Sequence, residues 1–429
     1  MTGRRPTTIP RTTFTSRTLR TIAVAVSGAS LVAGCGLVPG TTGGSEGPVT
    51  VMTWAPEQTG ATNMPGIPAM ARAYARWVNA HGGIGGRQLK VLTCNDHNDG
   101  VDAAKCARSA VDQHAVAVVG SYSQYGRAFL SPLESAGIPY IGGYGVSDAE
   151  FTSPLSYPVN GGQAALLAGN GEQLAHICDR TVLIRPDTIA GDELPPLLDA
   201  GLALGKRPAA TDLRAAEDSN DLDTQADRAL STASSDPLAE GCVAAVLGDR
   251  TDTFMDSFRR LRADYPEVHT ATVLGSVDQT VINRTGGASS PYEGAYVTGW
   301  YPAADDARWN PMRKAIDEVA FGDNRIDPAD AGVQTTWIAY TVLKQLVDSL
   351  GEDDDVSARS LRIALDKGAK VTTGGLTPTL RWDYAHLSAA GDFPRLVNAR
   401  VAFQKVDKGR LVATHKGLVD VTDTLAKAP

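Results

Sequence analysis

The sequence lacks any membrane-spanning run in its main part. After residue 34, no apolar stretch approaches the roughly 20 residues that a transmembrane helix needs, so we expect a soluble body. A basic excess is also missing. Residues 1–34 hold five Arg and no acidic residue, and beyond them 35 basic residues face 48 acidic ones, a net charge of −13. Such an acidic body lacks the excess of positive charge that is typical of nucleic-acid-binding proteins.

Signatures of catalysis and metal binding are missing as well. The five cysteines include no CxxC pair, and the seven histidines are scattered, so no Ser/His/Asp or Cys/His set can be assembled. The Gly-rich segment 81–86 follows a helix-like run and lacks the Lys-Ser/Thr pair of a phosphate loop, so it indicates a helix end and a turn. We therefore expect no metal, no cofactor and no enzymatic activity.

The amino-terminal segment has the pattern of an export signal. Residues 21–34 form an uncharged, mostly apolar stretch of 14 residues that follows several arginines. A helix of that length rises about 21 Å, too little for a hydrocarbon core of about 30 Å. We interpret residues 1–34 as a secretory signal segment.

The export signal ends in the letters VAGC, which resemble the bacterial lipobox and place Cys35 at its obligatory cysteine. The resemblance implies that Cys35 carries a lipid and becomes the first residue of the mature chain. Of residues 36–48, ten are Gly, Pro, Thr or Ser, which predicts a flexible tether over 35–48. Its reach is about 20 Å, so it would hold the folded body close to a membrane.

Four cysteines remain in the exported body, an even number typical of two disulfides in an oxidising compartment. Three pairings are possible. We favour Cys94–Cys106, because Cys106 lies in the helix-like run after the strand that Cys94 ends. We also favour Cys178–Cys242, because both precede or open strands that are neighbours if they are the first and third strands of a doubly wound sheet. Metal binding is the alternative.

From residue 49 onward, apolar strand-like runs alternate with amphipathic helix-like runs. Continuous apolar strands between such helices predict parallel sheets covered on both faces, and two series of them predict an α/β chain of two doubly wound lobes. The predicted strands are 49–54, 88–94, 115–120, 138–142, 181–185, 242–248, 271–275 and 295–301. The predicted helices are 67–80, 101–114, 192–205, 251–265, 333–350 and 357–367. Residues 376–421 alternate apolar and polar side chains, which predicts antiparallel β-structure.

Several segments, in the right order, resemble one known family. The helix-like run ending in VNAHGGIGGR is followed by a strand and an Asp-rich turn within residues 67–100, and 117–145 contains a strand, a Ser-rich turn and Gly-Ile-Pro before the next strand. With segments 292–301 and 330–346, these features resemble the periplasmic leucine/isoleucine/valine-binding protein family, the type I solute-binding fold of ABC importers.

The resemblance implies two lobes joined by three crossovers that close on a small solute. We expect lobe 1 to comprise 49–157 plus 302–375, and lobe 2 to comprise 158–301 plus 376–429. The implied partners are a small polar solute (an amino acid, an amide or a small carboxylate) and an ABC permease in the membrane. A lipid-anchored monomer outside the cytoplasm is expected. A ligand-sensing module of a membrane signalling system is the alternative, and a surface hydrolase is a third.

Candidate ligand residues follow the strands, because solutes bind beyond the carboxyl ends of strands in open α/β sheets. Ser121, Tyr122 and Ser123 follow the third predicted strand, where the family binds the ligand carboxylate; simple N-capping is the alternative. Trp54 and Tyr122 could offer stacking surface, or could be core or hinge residues.

Two further turns contribute candidates by resemblance. Tyr144 lies on the turn after the fourth strand, and it is either a ligand residue or a turn residue packing on its own lobe. Asp278 follows the strand at 271–275 and could pair with a ligand ammonium group, or be a solvated turn residue. Val146 stands near the position where the family offers a hydroxyl, a departure that puts a standard α-amino-acid ligand in doubt.

Overall fold

The computed structural model of the chain describes residues 47–428, apart from positions 61, 217–218, 220, 352–354, 389 and 391. The predicted signal segment 1–34, the lipidation residue Cys35 and residues 36–46 of the tether lie outside the described residues. No helix in the described part of the chain is long and apolar enough to cross a membrane.

The first lobe is built on one five-stranded parallel sheet. Strands and helices alternate along the chain as β1 (Val49–Trp54), α1 (Gly66–Ala80), β2 (Leu89–Cys94), α2 (Gly100–Asp112), β3 (Ala117–Val119), α3 (Gly126–Ala136), β4 (Tyr140–Ile141), α4 (Ala149–Thr152) and β5 (Ser156–Tyr157). The strand order is β2-β1-β3-β4-β5, and every neighbouring pair is parallel. The order reverses beside β1, which creates the crevice where such sheets bind ligands.

Apolar spacing explains the first elements. Strand β1 is buried along almost its whole length, as expected for a central strand with helices on both faces. Helix α1 buries Ile67, Met70, Tyr74 and Val78 on one face, because these positions follow the helical repeat. After α1 the chain turns at Gly83, where φ is +81° and a Cβ would lie 2.1 Å from the Arg87 carbonyl oxygen, so only glycine fits.

The second lobe repeats the pattern. Its elements are α5 (Gly162–Ala175), β6 (Arg180–Pro186), α6 (Ile189–Asp192), α7 (Leu194–Leu204), β7 (Thr211–Ala215), α8 (Asp223–Ala233), β8 (Gly241–Ala245), α9 (Thr251–Leu261), β9 (His269–Val273), α10 (Gln279–Arg284) and β10 (Tyr296–Gly299). Strands β7-β6-β8-β9-β10 are parallel neighbours in that order, the same order as in the first sheet.

The rest of the chain returns to each lobe in turn. Helices α11 (Asn310–Val319), α12 (Ala331–Asp348) and α13 (Ala358–Asp366) come first, and α11 and α12 pack against α1. Strands β11 (Arg400–Asp407), β12 (Arg410–Ala413) and β13 (Val419–Asp420) and helix α14 (Thr422–Leu425) follow. Because β11 joins β10 in antiparallel pairing, the chain crosses between the lobes three times: after β5, after β10 and after α13.

The predicted architecture of two doubly wound lobes is confirmed, as are all eight predicted strands, with some ends shifted. Strands β5 and β7 were not predicted, nor were several helices, of which α5, α8 and α11 are the longest. Strand β7 exposes three of its five residues, so it carries no apolar run. The prediction of antiparallel β-structure over 376–421 is correct only from Arg400 onward. Residues 376–399 contain no strand among those described, and only Leu380 forms an isolated bridge, with Val371.

Both favoured cysteine pairs are bonded. Cys94 and Cys106 join the end of β2 to α2, with Cα atoms 5.7 Å apart. Cys178 and Cys242 join the starts of two neighbouring strands of the second sheet, with Cα atoms 5.9 Å apart. The second pair confirms the expectation that these are the first and third strands of their sheet.

Candidate functional site

A cavity of about 150 Å³ lies between the lobes, beyond the carboxyl ends of β4 and β9. The first lobe contributes Met64 and Tyr144, together with Asp330 at the start of α12. The second lobe contributes the turn 275–278, which includes Asp278, and the first residues of α10. The structure therefore brings together two residues that were predicted from separate turns, Tyr144 and Asp278.

Tyr144 forms the aromatic wall of this cavity. Its ring packs edge-on against Trp300, with centroids 5.0 Å apart, and against Tyr122, with centroids 5.2 Å apart. Its backbone N–H donates to the Ser121 carbonyl oxygen at 3.0 Å, which ties the turn after β4 to the turn after β3. Burial, followed by the nearby Asp330 carboxylate, raises the pKa of Tyr144 well above its usual range, so the phenol stays neutral.

Asp278 is one of three acidic residues that line the cavity. Its carboxylate caps α10 by accepting from the Val281 N–H at 2.9 Å. Burial, followed by the negative charge of Asp330, raises the pKa of Asp278 to about 7. Asp330 is itself the N-cap of α12 and accepts from the Val333 N–H at 2.8 Å. Two helix caps from opposite lobes thus place two carboxylates beside one cavity.

Direct contacts join the lobes around the cavity. The Thr280 hydroxyl donates to Asp327 at 2.9 Å, from α10 to the loop before α12. The backbone N–H of Ala331 also favours the Asp278 anion. Arg284 lines the cavity, but its guanidinium pairs with Asp252 at 2.6 Å. Among the described residues, no group of three or more His, Cys, Asp or Glu side chains could hold a metal ion.

The Ser-rich turn after β3 lies deeper than the cavity. Ser121 and Ser123 are buried, and neither lines the cavity. The Ser121 hydroxyl accepts from the Trp54 N–H at 3.1 Å, and the Ser123 hydroxyl accepts from the Tyr125 N–H at 3.3 Å. Neither serine caps α3, whose N-cap residue, Tyr125, makes no side-chain capping bond. The capping alternative is therefore not what the turn does.

Trp54 also lies away from the cavity. Its indole packs between Phe129, at 5.3 Å between centroids, and Tyr140, at 6.1 Å, within the first-lobe core. Tyr122 does not line the cavity, but its ring packs against that of Tyr144, which does. The part of Trp54, Ser121, Tyr122 and Ser123 in ligand binding stays a prediction.

Glu150 was not predicted from the sequence to have a part in this region. Its carboxyl group is buried under the turn after β4, where it accepts from the N–H groups of Gly145 at 3.1 Å and of Val146 and Ser147 at 3.2 Å each. Burial raises its pKa to about 7, although these hydrogen bonds oppose the shift. The signal was present, since Ser147 and Glu150 have the S-x-x-E spacing of a capping box.

A second, wider hollow of about 1140 Å³ opens between the lobes on the side of α3 and α7. Its lining includes Gln124, Arg127, Phe151, Glu193 and Leu197. It contains none of the six predicted ligand residues, whereas the smaller cavity contains two. We therefore take the smaller cavity as the candidate solute site.

Sequence comparison identifies the family. A family model described as "Periplasmic binding protein" matches residues 57–399, which is most of the chain. The chain therefore belongs to this family of solute-binding proteins, of the leucine/isoleucine/valine-binding type, as the resemblance predicted. No curated protein sequence matches the chain.

Solved structures agree with the fold. A leucine-binding protein from Thermotoga maritima is similar at a TM-score of 0.65 and 14% identity, over 87% of this chain and 99% of its own. A solute-binding protein of an ABC transporter from R. palustris, in complex with benzoate, is similar at a TM-score of 0.68 and 17% identity, over 87% of this chain and 98% of its own. A fatty acid ABC transporter substrate-binding protein from Thermomonospora curvata is similar at a TM-score of 0.70 and 13% identity, over 91% of this chain and 96% of its own. At these identities the likeness establishes the fold.

Proposed function

We propose that this protein is the extracytoplasmic solute-binding component of an ABC importer, which captures a small polar solute by closure of its lobes and delivers it to a permease. The observation that carries the proposal is the cavity between the lobes, which is lined by Tyr144 and Asp330 on one side and Asp278 on the other. Both lobes are needed to enclose a solute there, so binding and closure are linked.

Hydrogen bonds between the crossover segments support a hinge mechanism. We assign 49–157 plus 302–375 to lobe 1 and 158–301 plus 376–429 to lobe 2. Asn160, in the first crossover, donates to the Tyr301 hydroxyl in the second at 3.1 Å. In the third, the indole N–H of Trp382 donates to the Pro158 carbonyl oxygen at 2.9 Å. The crossovers thus brace one another beneath the cavity, and they form the hinge.

The amino terminus supports attachment to a membrane. In our proposal the signal segment 1–34 is removed, Cys35 carries the lipid and residues 36–48 form the tether of a monomer. The two disulfides suit an oxidising compartment outside the cytoplasm. In a bacterial host that processes lipoproteins, the wild-type chain should fractionate with membranes and Cys35→Ser should not. Equal membrane association of both would overturn the lipid anchor but not solute binding.

The solute-binding role is tested by thermal shift against a broad panel of amino acids, amides, amines and carboxylates. A solute present at 100 times its Kd stabilises the folded state by about 2.7 kcal/mol, which is a clear rise in melting temperature. Absence of a shift with every solute would overturn the role. Co-purification of the lipidated chain with a membrane kinase, and not with a permease, would overturn the importer assignment and favour a sensing module.

A further inference from the structure

The lining of the candidate solute site carries an excess of negative charge. Asp252, Asp278 and Asp330 line it together with one guanidinium, that of Arg284, which pairs with Asp252. Asp278 and Asp330 approach from opposite lobes, so closure brings like charges together in a partly buried space. A positively charged group between them would remove this repulsion.

Tyr144 provides an independent observation. Its side chain is only 3% exposed, yet its hydroxyl makes no hydrogen bond to any residue that the structure describes. The hydroxyl lies close to Gly275 of the second lobe, because a Cβ on that glycine would be only 3.3 Å from it. Because Tyr144 lines the cavity, this hydroxyl is available to a solute there. Its ring face can also attract a cation.

The groups that the family resemblance assigns to a ligand carboxylate do not line this cavity. The three N–H groups of the turn after β4, at residues 145–147, donate to Glu150. The Ser121 hydroxyl accepts from the Trp54 N–H and is fully buried. Val146 has no hydroxyl to offer. Within the cavity lining, the Arg284 guanidinium pairs with Asp252 and the Thr280 hydroxyl donates to Asp327. A carboxylate entering the cavity would therefore meet three other carboxylates while these donors are engaged.

We infer that the cavity selects a compact organic cation, an amine or a guanidinium without a carboxylate group. The inference rests on the proposed solute-binding function and narrows its range of solutes, because it excludes amino acids and small carboxylates. Asp278 and Asp330 hold the charge from opposite lobes, and the Tyr144 hydroxyl accepts one N–H. A cavity of about 150 Å³ has room for a molecule of about the size of benzene, so the cation is small.

Matched pairs of solutes test the inference by isothermal titration of the full-length protein at pH 8. Benzylamine is compared with benzoate, and isobutylamine with valine, because each pair shares its apolar part and differs in the carboxylate. We expect the amine of at least one pair to bind at least tenfold more tightly than its partner. Tighter binding of benzoate or valine would overturn the inference and leave solute binding intact. If neither pair binds, the solute that raises the melting temperature in the broad panel decides: a cation without a carboxylate supports the inference, and any other solute overturns it. If no solute in the panel raises the melting temperature, both the inference and the proposed solute-binding function are overturned.

Variants separate a ligand contact from a structural role. Asp278→Asn and Asp330→Asn keep the helix caps, because Asn caps as well as Asp, but remove the charge. Each should weaken amine binding at least tenfold without lowering the melting temperature of the solute-free protein. Tyr144→Phe should weaken it severalfold. Asp99→Asn, at the N-cap of α2 outside the cavity, is the matched control and should bind as wild type does. Unchanged binding by both cavity Asn variants would overturn the inference.

Discussion

Asp278 and Asp330 cap two helices that belong to opposite lobes, and their carboxylates line the same cavity. Each cap stabilises its own helix, since a side-chain oxygen satisfies an N–H that the helix cannot. Together, the two caps place two carboxylates beside one cavity, where burial, followed by the charge of Asp330, raises the pKa of Asp278. The relationship gives the solute site a dependence on pH.

We predict that the solute-free protein loses stability as the pH rises from about 5 to 8. Asp278 has a pKa of about 7 in the folded chain, against 3.8 ordinarily, so the folded state binds more protons between those values. Stability is therefore greatest at the low end and falls as Asp278 ionises beside Asp330, Asp327 and Tyr144, with Arg284 engaged by Asp252. Glu150, whose pKa is about 7, acts in the same direction.

Melting temperatures across this pH range check the prediction, with Asp278→Asn as the informative variant. The fall should be clearly smaller in Asp278→Asn than in wild type, whereas the Asp99→Asn control should follow wild type. A melting temperature that rises with pH, or an identical fall in Asp278→Asn, would show that this carboxyl does not titrate as we expect.

Glu150→Ala should destabilise the first lobe strongly. The substitution leaves the N–H groups of Gly145, Val146 and Ser147 without their acceptor in a turn that is buried at Gly145 and half-buried at the other two residues. Since each unsatisfied buried group costs about 1–3 kcal/mol, we expect a loss of about 3 kcal/mol, after partial rescue by water. Urea denaturation measures it. The exposed Glu267→Ala should change stability by less than about 0.5 kcal/mol, and equal effects would contradict our account.

Asn160→Ala should weaken the hinge. Asn160 is fully buried, accepts from the Gly162 N–H at 2.9 Å and donates to the Tyr301 hydroxyl, which also contacts the Thr335 hydroxyl at 3.1 Å. Loss of these bonds should cost about 2–3 kcal/mol in urea denaturation. Asn283→Ala, on the exposed surface of α10, is the control. A cost at Asn160 no larger than at Asn283 would count against a braced hinge.

The two disulfides should contribute unequally. Cys94 and Cys106 are 12 residues apart, and Cys178 and Cys242 are 64 apart. In the chain-entropy treatment the shorter loop stabilises by about 3 kcal/mol and the longer by about 4 kcal/mol. Replacing each pair by alanines and measuring denaturation should show the larger loss for Cys178 and Cys242. The reverse order would indicate that local packing at α2 outweighs loop entropy.

Local patterns in the sequence predicted most of the fold. Strand β1 and helix α1 follow their apolar spacing almost residue for residue, because a central strand and the helix that covers it are buried by any doubly wound arrangement. Strand β7 was not predicted, since its edge position leaves most of its side chains in water and no apolar pattern marks it. The prediction of β-structure over residues 376–399 was wrong, because the alternation there reflects packing of irregular chain and not strand pairing.

The sequence by itself determined the lobes, the alternation of strands and helices, the cysteine pairs and the positions of Tyr144 and Asp278 at strand ends. These features depend on side-chain spacing over a few residues, or on a strand order that the fold class implies. Only the tertiary structure decided that Asp330 faces Asp278, that Glu150 engages the turn after β4 and that Trp54 and the serines lie beneath the cavity. Residues 278 and 330 come together through crossovers between lobes, and no local pattern encodes such a distance.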